Sequence, residues 1–178
     1  NAADFPLNLA DIERIEVLEG AASRVLGTQA FSGAINIVTR QVGPTFYARA
    51  AGGSYGTAQG EARGLFRHQF SNGNLFTSSL SAGYQRSDGA VRNGDFKGGK
   101  AFWQGSLDAA QYKVDAQAGY TNTDFGANTF YSIASTDQWE STTRYLASVK
   151  AETKGKIHIA PQISWLRNYD HFQFFRNT

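Results

Sequence analysis

Residues 11–40 of this chain, DIERIEVLEG AASRVLGTQA FSGAINIVTR, form the stretch from which the rest of the fold can be worked out. Two short segments of alternating apolar and polar residues, 12–18 and 34–39, flank a glycine-rich centre. Alternation with a period of two is typical of a β-strand with one apolar and one wet face. The central glycines favour turns, and Ser23 stands where it can cap one short helical turn. The stretch therefore predicts a small α+β unit.

This stretch resembles the end of the plug domain of TonB-dependent outer-membrane receptors. In that family an IERIEVL strand, a turn of the form G-x-x-S/A-x-L-Y-G and a strand of the form G-x-I-N-I-V/I-T-K/R lead into the barrel. The chain differs at Glu19 and Ala21, where the family usually has Arg and Pro, and at Leu26, which replaces a common Tyr. The resemblance implies charge contacts between the plug segment and the inner barrel wall. The candidates for these contacts are Arg14, Glu16, Arg24 and Arg40.

Composition limits the class of protein. The chain has 178 residues, a net charge of +2 and no Cys, and its charges are mixed along its length. The lack of cysteine excludes disulfide frameworks and thiolate metal sites, and the mixed charge argues against nucleic acid as a partner. No apolar run approaches the roughly 18 residues that a membrane-spanning helix needs. Frequent aromatic residues, 19 Gly and only 3 Pro favour many strands joined by glycine-rich turns.

After a boundary at 42–45, alternation continues almost to the end of the chain and predicts seven strands. These strands are expected at 46–53, 57–70, 75–86, 100–110, 112–123, 141–152 and 157–169. A tight turn at 54–56 joins the first two strands. The later connections alternate between short turns, at 71–74, 111 and 153–156, and longer loops, at 87–99 and 124–140. Short periplasmic turns and longer extracellular loops are typical of outer-membrane barrels.

Seven strands do not complete such a barrel. An open sheet in lipid would leave backbone groups unpaired, at a cost of several kcal/mol each, and a plugged barrel needs roughly 22 strands. We therefore expect an internal fragment of a longer, mainly β protein, a plugged transmembrane antiparallel β-barrel. Residues 1–42 would be the C-terminal part of the plug domain, and residues 43–178 the first seven barrel strands.

The resemblance also implies a function. It predicts a receptor in the bacterial outer membrane that takes up a scarce nutrient, with energy supplied by the TonB complex in the periplasm. The contact with TonB would lie in residues that precede this fragment, and outer-membrane lipid would surround the barrel. No enzyme activity and no catalytic residue are expected, because the three histidines are scattered and no nucleophile motif is present.

The predicted loop 124–140, DFGANTFYSIASTDQWE, is too apolar for a loop that only meets water. Exposed aromatic clusters often mark binding surfaces, so its rings either contact a ligand or partner or fold over the rim and pack on neighbouring loops. The candidates are Phe125, Phe130, Tyr131 and Trp139. This loop and segment 167–176 resemble cobalamin-receptor-like members of the family in Bacteroidetes. That resemblance implies cobalamin as the nutrient and a surface lipoprotein as a further partner.

The predicted loop 87–99 raises the question of a metal. Asp88, Asn93 and Asp95 offer oxygen ligands of the kind that calcium prefers, although their spacing does not match an EF-hand. The alternative is a set of polar loop residues in water. No other cofactor is expected.

Other functions stay open at this point. A siderophore, a glycan or a peptide would suit the same family as well as cobalamin does. A passive or structural outer-membrane barrel, such as a porin or adhesin, would keep the strands but not the plug. A soluble β-rich carbohydrate-binding or hydrolytic domain would bring acidic residues together in a cleft, whereas the acids here are spread over strands and loops.

Overall fold

The computed structural model describes residues 5–19 and 33–176, and in these ranges the chain is mainly β, as predicted. A 3-10 turn (Leu9–Asp11) precedes β1 (Ile12–Glu19) and β2 (Gly33–Thr39). The remaining strands are β3 (Phe46–Gly52), β4 (Ala58–Gln69), β5 (Leu75–Ser87), β6 (Phe96–Asp108), β7 (Tyr112–Gly126), β8 (Trp139–Thr153) and β9 (Gln162–Gln173). They form two antiparallel sheets, a small one of β1 and β2 and a large one of β3 to β9 in chain order.

The small sheet has the two faces that its sequence predicts. Ile15 pairs with Ile37 and Val17 with Ile35, so the apolar residues of both strands share one face. The cap proposed for Ser23 and the glycine-rich turns of the centre lie outside the described residues.

All seven predicted strands of the large sheet are present, and each pairs with the next in the chain. Strands β3 and β9 are its two edges, so the described residues form an open sheet and no closed barrel. The mainly β, antiparallel fold is thus confirmed, while the closed barrel and the plug domain stay predictions.

The largest differences from the predicted strand starts are those of β6 and β9. Strand β6 begins at Phe96 and not at residue 100, because residues 96–99 continue the ladder to β7 despite the weak strand preference of Gly98 and Gly99. Strand β9 begins at Gln162 and not at residue 157, because Pro161 before it has no N–H to donate to a ladder.

The connections follow from these bounds. At one end of the sheet, which we call the loop end, lie 53–57, 88–95 and 127–138; at the other, the turn end, lie 70–74, 109–111 and 154–161. The connection 154–161 is longer than the turn predicted at 153–156, so the contrast between the two ends is weaker than expected.

The large sheet has two unlike faces, because successive residues of a strand point to opposite sides. We call them the apolar face and the polar face. One row across the apolar face consists of Phe46, Gly64, Leu80, Trp103, Ala118, Ala147 and Trp165. One row across the polar face consists of Arg49, Glu61, Gly83, Lys100, Thr121, Arg144 and Asn168. Leu80 is 59% exposed, whereas Phe102 on the polar face is buried, so the packed side of this sheet is its polar side.

Candidate functional site

The N-terminal segment, residues 5–11, lies against the polar face of the large sheet. Two glycines on that face make the close approach possible. A Cβ on Gly119 would come within 2.7 Å of Pro6 Cγ, and a Cβ on Gly83 would overlap with Asn8 Oδ1. Any larger residue at these two positions would push the segment away from the sheet.

A buried group of polar side chains fastens this segment to the sheet. The Asp11 carboxylate accepts hydrogen bonds from Ser81 Oγ at 2.5 Å and from the backbone N–H of Asn8 at 2.9 Å. The Asn8 side-chain amide donates to the same Ser81 oxygen at 3.0 Å. Arg63 Nε lies 3.6 Å from Asp11 Oδ1, and both side chains are almost fully buried. We call Asn8, Asp11, Arg63 and Ser81 the docking cluster.

The docking cluster extends to the chain that leaves the small sheet. The carbonyl oxygen of Arg40 accepts a hydrogen bond from Arg63 Nη2 at 2.7 Å and a second, short one from the Gln104 side chain. Gln104 lies on β6, so one acceptor just after β2 is held by two strands of the large sheet. The short connection to β3 therefore has a fixed start.

The charged side chains of Arg14, Glu16 and Arg40, predicted to hold plug to wall, form their hydrogen bonds within the N-terminal part of the chain and the small sheet. Arg14 Nε donates to Glu16 at 2.7 Å, and Asn36 donates to the other Glu16 oxygen at 2.8 Å, so both contacts stay within the small sheet. The hydrogen bonds from Asn36 and Arg14 lower the pKa of Glu16. The Arg40 side chain donates to Ile12 in the small sheet, and only its backbone reaches the large sheet. Arg24 lies outside the described residues.

Sequence reasoning missed the docking cluster. It looked for charges in the plug motif, whereas the partners are Asp11 at the start of that motif and residues in the middle of two barrel-type strands. One pattern could have pointed to them. Ser79, Ser81 and Gly83 put three small residues in succession on one face of β5, which leaves room for another part of the chain.

A cavity of about 520 Å³ opens between the N-terminal segment and the loop end of the polar face. Phe5, Asn8 and Leu9 form one wall, and polar-face residues of β3 to β7 form the other. Phe125 and Phe130, two of the predicted ligand-binding residues, line it at the loop end. This volume is in the range of small-molecule sites.

The aromatic side chains of the predicted loop 124–140 lie on both faces of the large sheet. Ring centroids of Phe125 and Phe130 are 6.5 Å apart, those of Phe130 and Tyr131 4.8 Å, and those of Tyr131 and Phe172 5.4 Å. This cluster lies on the polar side, where the Tyr131 hydroxyl also donates a short hydrogen bond to Glu140. Trp139 precedes Glu140 in β8, so it points to the apolar side and packs on His171, 5.8 Å away.

Of the three candidate calcium ligands, Asn93 and Asp95 meet at Arg176, whereas Asp88 has a different partner. Asp88 accepts a hydrogen bond from Arg86, its near neighbour, at 2.9 Å. Asp95 is held by two hydrogen bonds from Arg176, of 2.5 and 2.9 Å, and Asn93 Oδ1 accepts a third, of 2.9 Å. A guanidinium thus already occupies the oxygens that calcium would need. In residues 5–19 and 33–176 no three His, Cys, Asp or Glu side chains are grouped to hold a metal ion.

Arg176 instead ties three parts of the loop end together. Its backbone N–H donates to the Asp137 carbonyl at 2.8 Å, and its side chain reaches Asp95 and Asn93. The Asn93 amide in turn donates to Gln138 O at 2.6 Å. We call this arrangement the loop clasp. It fixes loop 127–138, which bears Phe130, relative to loop 88–95.

Comparison with known proteins gives no identification: no family model, no curated protein and no solved structure matches the chain. In the part of the chain that the structure describes, no helix has the length and apolar character to cross a bilayer.

Proposed function

We propose that this chain is part of a TonB-dependent outer-membrane receptor that takes up a scarce nutrient. The plug would begin before Asn8 and end near Arg40, and β3 to β9 would be the first part of the barrel wall. Outer-membrane lipid would cover the apolar face, and the TonB complex would act on the plug from the periplasm.

One observation carries the proposal: among residues 5–19 and 33–176, the N-terminal segment packs against the polar face of the large sheet, and no part of the chain covers its apolar face. A sheet in water normally does the opposite, because burial of apolar surface is what stabilises it. In a transmembrane barrel the alternation is reversed, with apolar residues outside and polar residues toward the lumen. Leu80, Ile163 and Trp165 are each more than half exposed, which suits a lipid-facing surface and not a solvated one.

The cavity suits the ligand site of such a receptor. It lies between the proposed plug and the wall, at the end where the proposed extracellular loops meet. Aromatic rings at Phe125 and Phe130 would contact the ligand. The resemblance of the loops makes cobalamin the first ligand to test, with siderophores, glycans and peptides as the alternatives and a surface lipoprotein as a further partner.

Ligand retention tests the proposal. The full-length receptor would be purified from native outer membranes in mild detergent and its bound small molecules identified by mass spectrometry. A corrinoid would support cobalamin uptake and direct mutagenesis to Phe130 and Tyr131. A siderophore, glycan or peptide would keep the transporter and exclude cobalamin.

The passive-barrel alternative is tested with the same preparation. Single receptors in a planar bilayer should conduct no steady ion current if the segment before β3 plugs the lumen. Free conduction would overturn the plugged-receptor proposal, and recovery of the protein in the soluble fraction would overturn the membrane location.

A further inference from the structure

Two positive charges in the cavity have no ionic partner among the described residues. Arg49 on β3 and Lys100 on β6 line the cavity on the polar face. Neither takes part in an ion pair with any carboxylate of the described residues. Most other cations of the sheet do, as Lys113 does with Asp115 at 3.3 Å. The positive charges of Arg49 and Lys100 are therefore not neutralised by an ion pair with a described carboxylate.

The one carboxylate in the cavity lining does not balance this charge. Glu61 lies opposite Arg49 in the register of β3 and β4, and its Oε1 accepts a hydrogen bond from Tyr47 at 3.4 Å. With Arg49 and Lys100 positive, the lining carries an excess of one positive charge. Lys100 is only partly exposed, so its charge is less screened than that of a free surface lysine.

The remaining lining combines large apolar residues and glycines with uncharged polar side chains, those of Asn8, Gln59, Gln85, Thr121, Thr123 and Asn128. Six large apolar residues contribute: Phe5, Leu9, Val91, Phe96, Phe125 and Phe130. Two of the neighbours of Lys100 on the polar face are glycines, Gly83 opposite it on β5 and Gly98 two residues before it on β6, and its side chain is partly exposed. A ligand that fills this space meets large apolar side chains and uncharged polar groups around a small, positive region.

We propose that the ligand of this cavity is an anion with an aromatic or apolar body, and that Lys100 and Arg49 select it. This inference rests on the proposed function, since it names the ligand class of the same site. A carboxylate, sulfonate or phosphate would accept a charge-assisted hydrogen bond from Lys100, which is about twice as strong as a neutral one, and Arg49, three strands away in the same row, would add positive charge at the β3 side of the cavity. An uncharged ligand would leave both cations unpaired in a partly enclosed space.

A matched pair of fluorescent probes tests the proposal. 8-Anilinonaphthalene-1-sulfonate and N-phenyl-1-naphthylamine share one ring system, and only the first carries a negative charge. Both would be titrated into the full-length receptor in phosphatidylcholine nanodiscs, with empty nanodiscs subtracted. Lys100→Gln should weaken sulfonate binding about tenfold, the scale of one lost charged hydrogen bond, and leave the uncharged probe unchanged.

Two further variants make the result specific. Lys97→Gln removes the same charge from the same strand, but Lys97 is on the apolar face and should leave both probes unaffected. Lys100→Arg keeps the charge and should retain sulfonate binding. An equal loss of both probes in Lys100→Gln, an unchanged sulfonate affinity, or no sulfonate binding by the unmodified receptor would each overturn the proposal.

Failure of this inference can be told apart from failure of the proposed function. A neutral glycan recovered from the native receptor would overturn the anionic ligand and keep the transporter. Free ion conduction with intact discrimination between the probes would overturn the plugged receptor and keep the anion site.

Discussion

The two faces of the large sheet are formed by the same strands but differ in what they contact. On the polar face, glycines and serines admit the N-terminal segment, and one buried ion pair with its hydrogen bonds fixes the position of that segment. On the apolar face, aromatic and aliphatic side chains stand uncovered in the described part of the chain. The first face is specific, because it accepts one segment in one place. The second is uniform and would suit any apolar surroundings.

The comparison teaches where stability should depend on single residues. A substitution on the polar face should act through one contact with the N-terminal segment. A substitution on the apolar face should act through the medium that covers it. Substitutions in matched pairs can therefore separate the two.

The largest effect is expected for Arg63→Ala. Arg63 and Asp11 are both about 98–99% buried, so the variant leaves a carboxylate without its counter-ion in the docking cluster. Loss of one partner of a buried pair costs about 3–5 kcal/mol. Urea unfolding of the full-length protein in lipid vesicles would measure the loss. Arg14→Ala, which removes an exposed contact within the small sheet, should leave the unfolding midpoint unchanged, and an equal effect of both would contradict the assignment.

Two adjacent residues of β7, one on each face of the sheet, test whether the two faces have different surroundings. Ala118 is on the apolar face and Gln117 on the polar face of the same central strand. Arginine on a lipid-facing surface near the bilayer centre costs about 2–4 kcal/mol, so Ala118→Arg should destabilise the protein strongly and Gln117→Arg only slightly. The free energies of unfolding of both variants in lipid vesicles would show this difference. Equal, small effects would indicate that water covers both faces.

Two glycines test the close approach. Gly83→Ala places a methyl group against Asn8, whose amide is already bonded to Ser81, so overpacking should cost about 1–3 kcal/mol. Gly64→Ala, on the apolar face, meets nothing within 4 Å and should be neutral or slightly stabilising. Limited proteolysis of the N-terminal segment should be faster in Gly83→Ala alone. Unchanged proteolysis would argue against docking at Gly83.

The smallest effect concerns the loop clasp, which lies beyond both faces. Hydrogen bonds from Arg176 hold the pKa of Asp95 below its ordinary value of 3.8. A lowered folded-state pKa means that the clasp contributes fully at higher pH and is lost as the pH falls through that lowered value. Hydrogen exchange of loop 127–138 should therefore accelerate only in strong acid. In Asp95→Asn, hydrogen exchange of loop 127–138 should be fast already at neutral pH. If exchange in this variant still accelerated in acid, the acid dependence would be assigned to Asp124 or Asp137.

Local pattern predicted much of this fold. Alternation located all seven strands of the large sheet, and Asn72-Gly73 located the turn between β4 and β5. It failed where pairing with neighbours decides, as in β6, whose glycines extend a strand because β5 and β7 lie on either side of them. The small residues of β5 indicate where a segment could dock, but the pairing of Asp11 with Arg63 could not be predicted, because these two residues meet through the position of the whole segment on the sheet.

The short connection between the two sheets has a consequence for how they separate. Arg40 O is held by β4 and β6, and Thr45 O accepts a hydrogen bond from Leu65 at 2.8 Å, so both ends of the connection are fastened. If the docking cluster opened, the small sheet would stay tethered at an effective concentration on the order of millimolar. Re-docking would then be intramolecular and fast compared with capture by a dilute competitor. Sustained release would need a continuing pull on the segment, and a weakened contact alone would produce only brief openings.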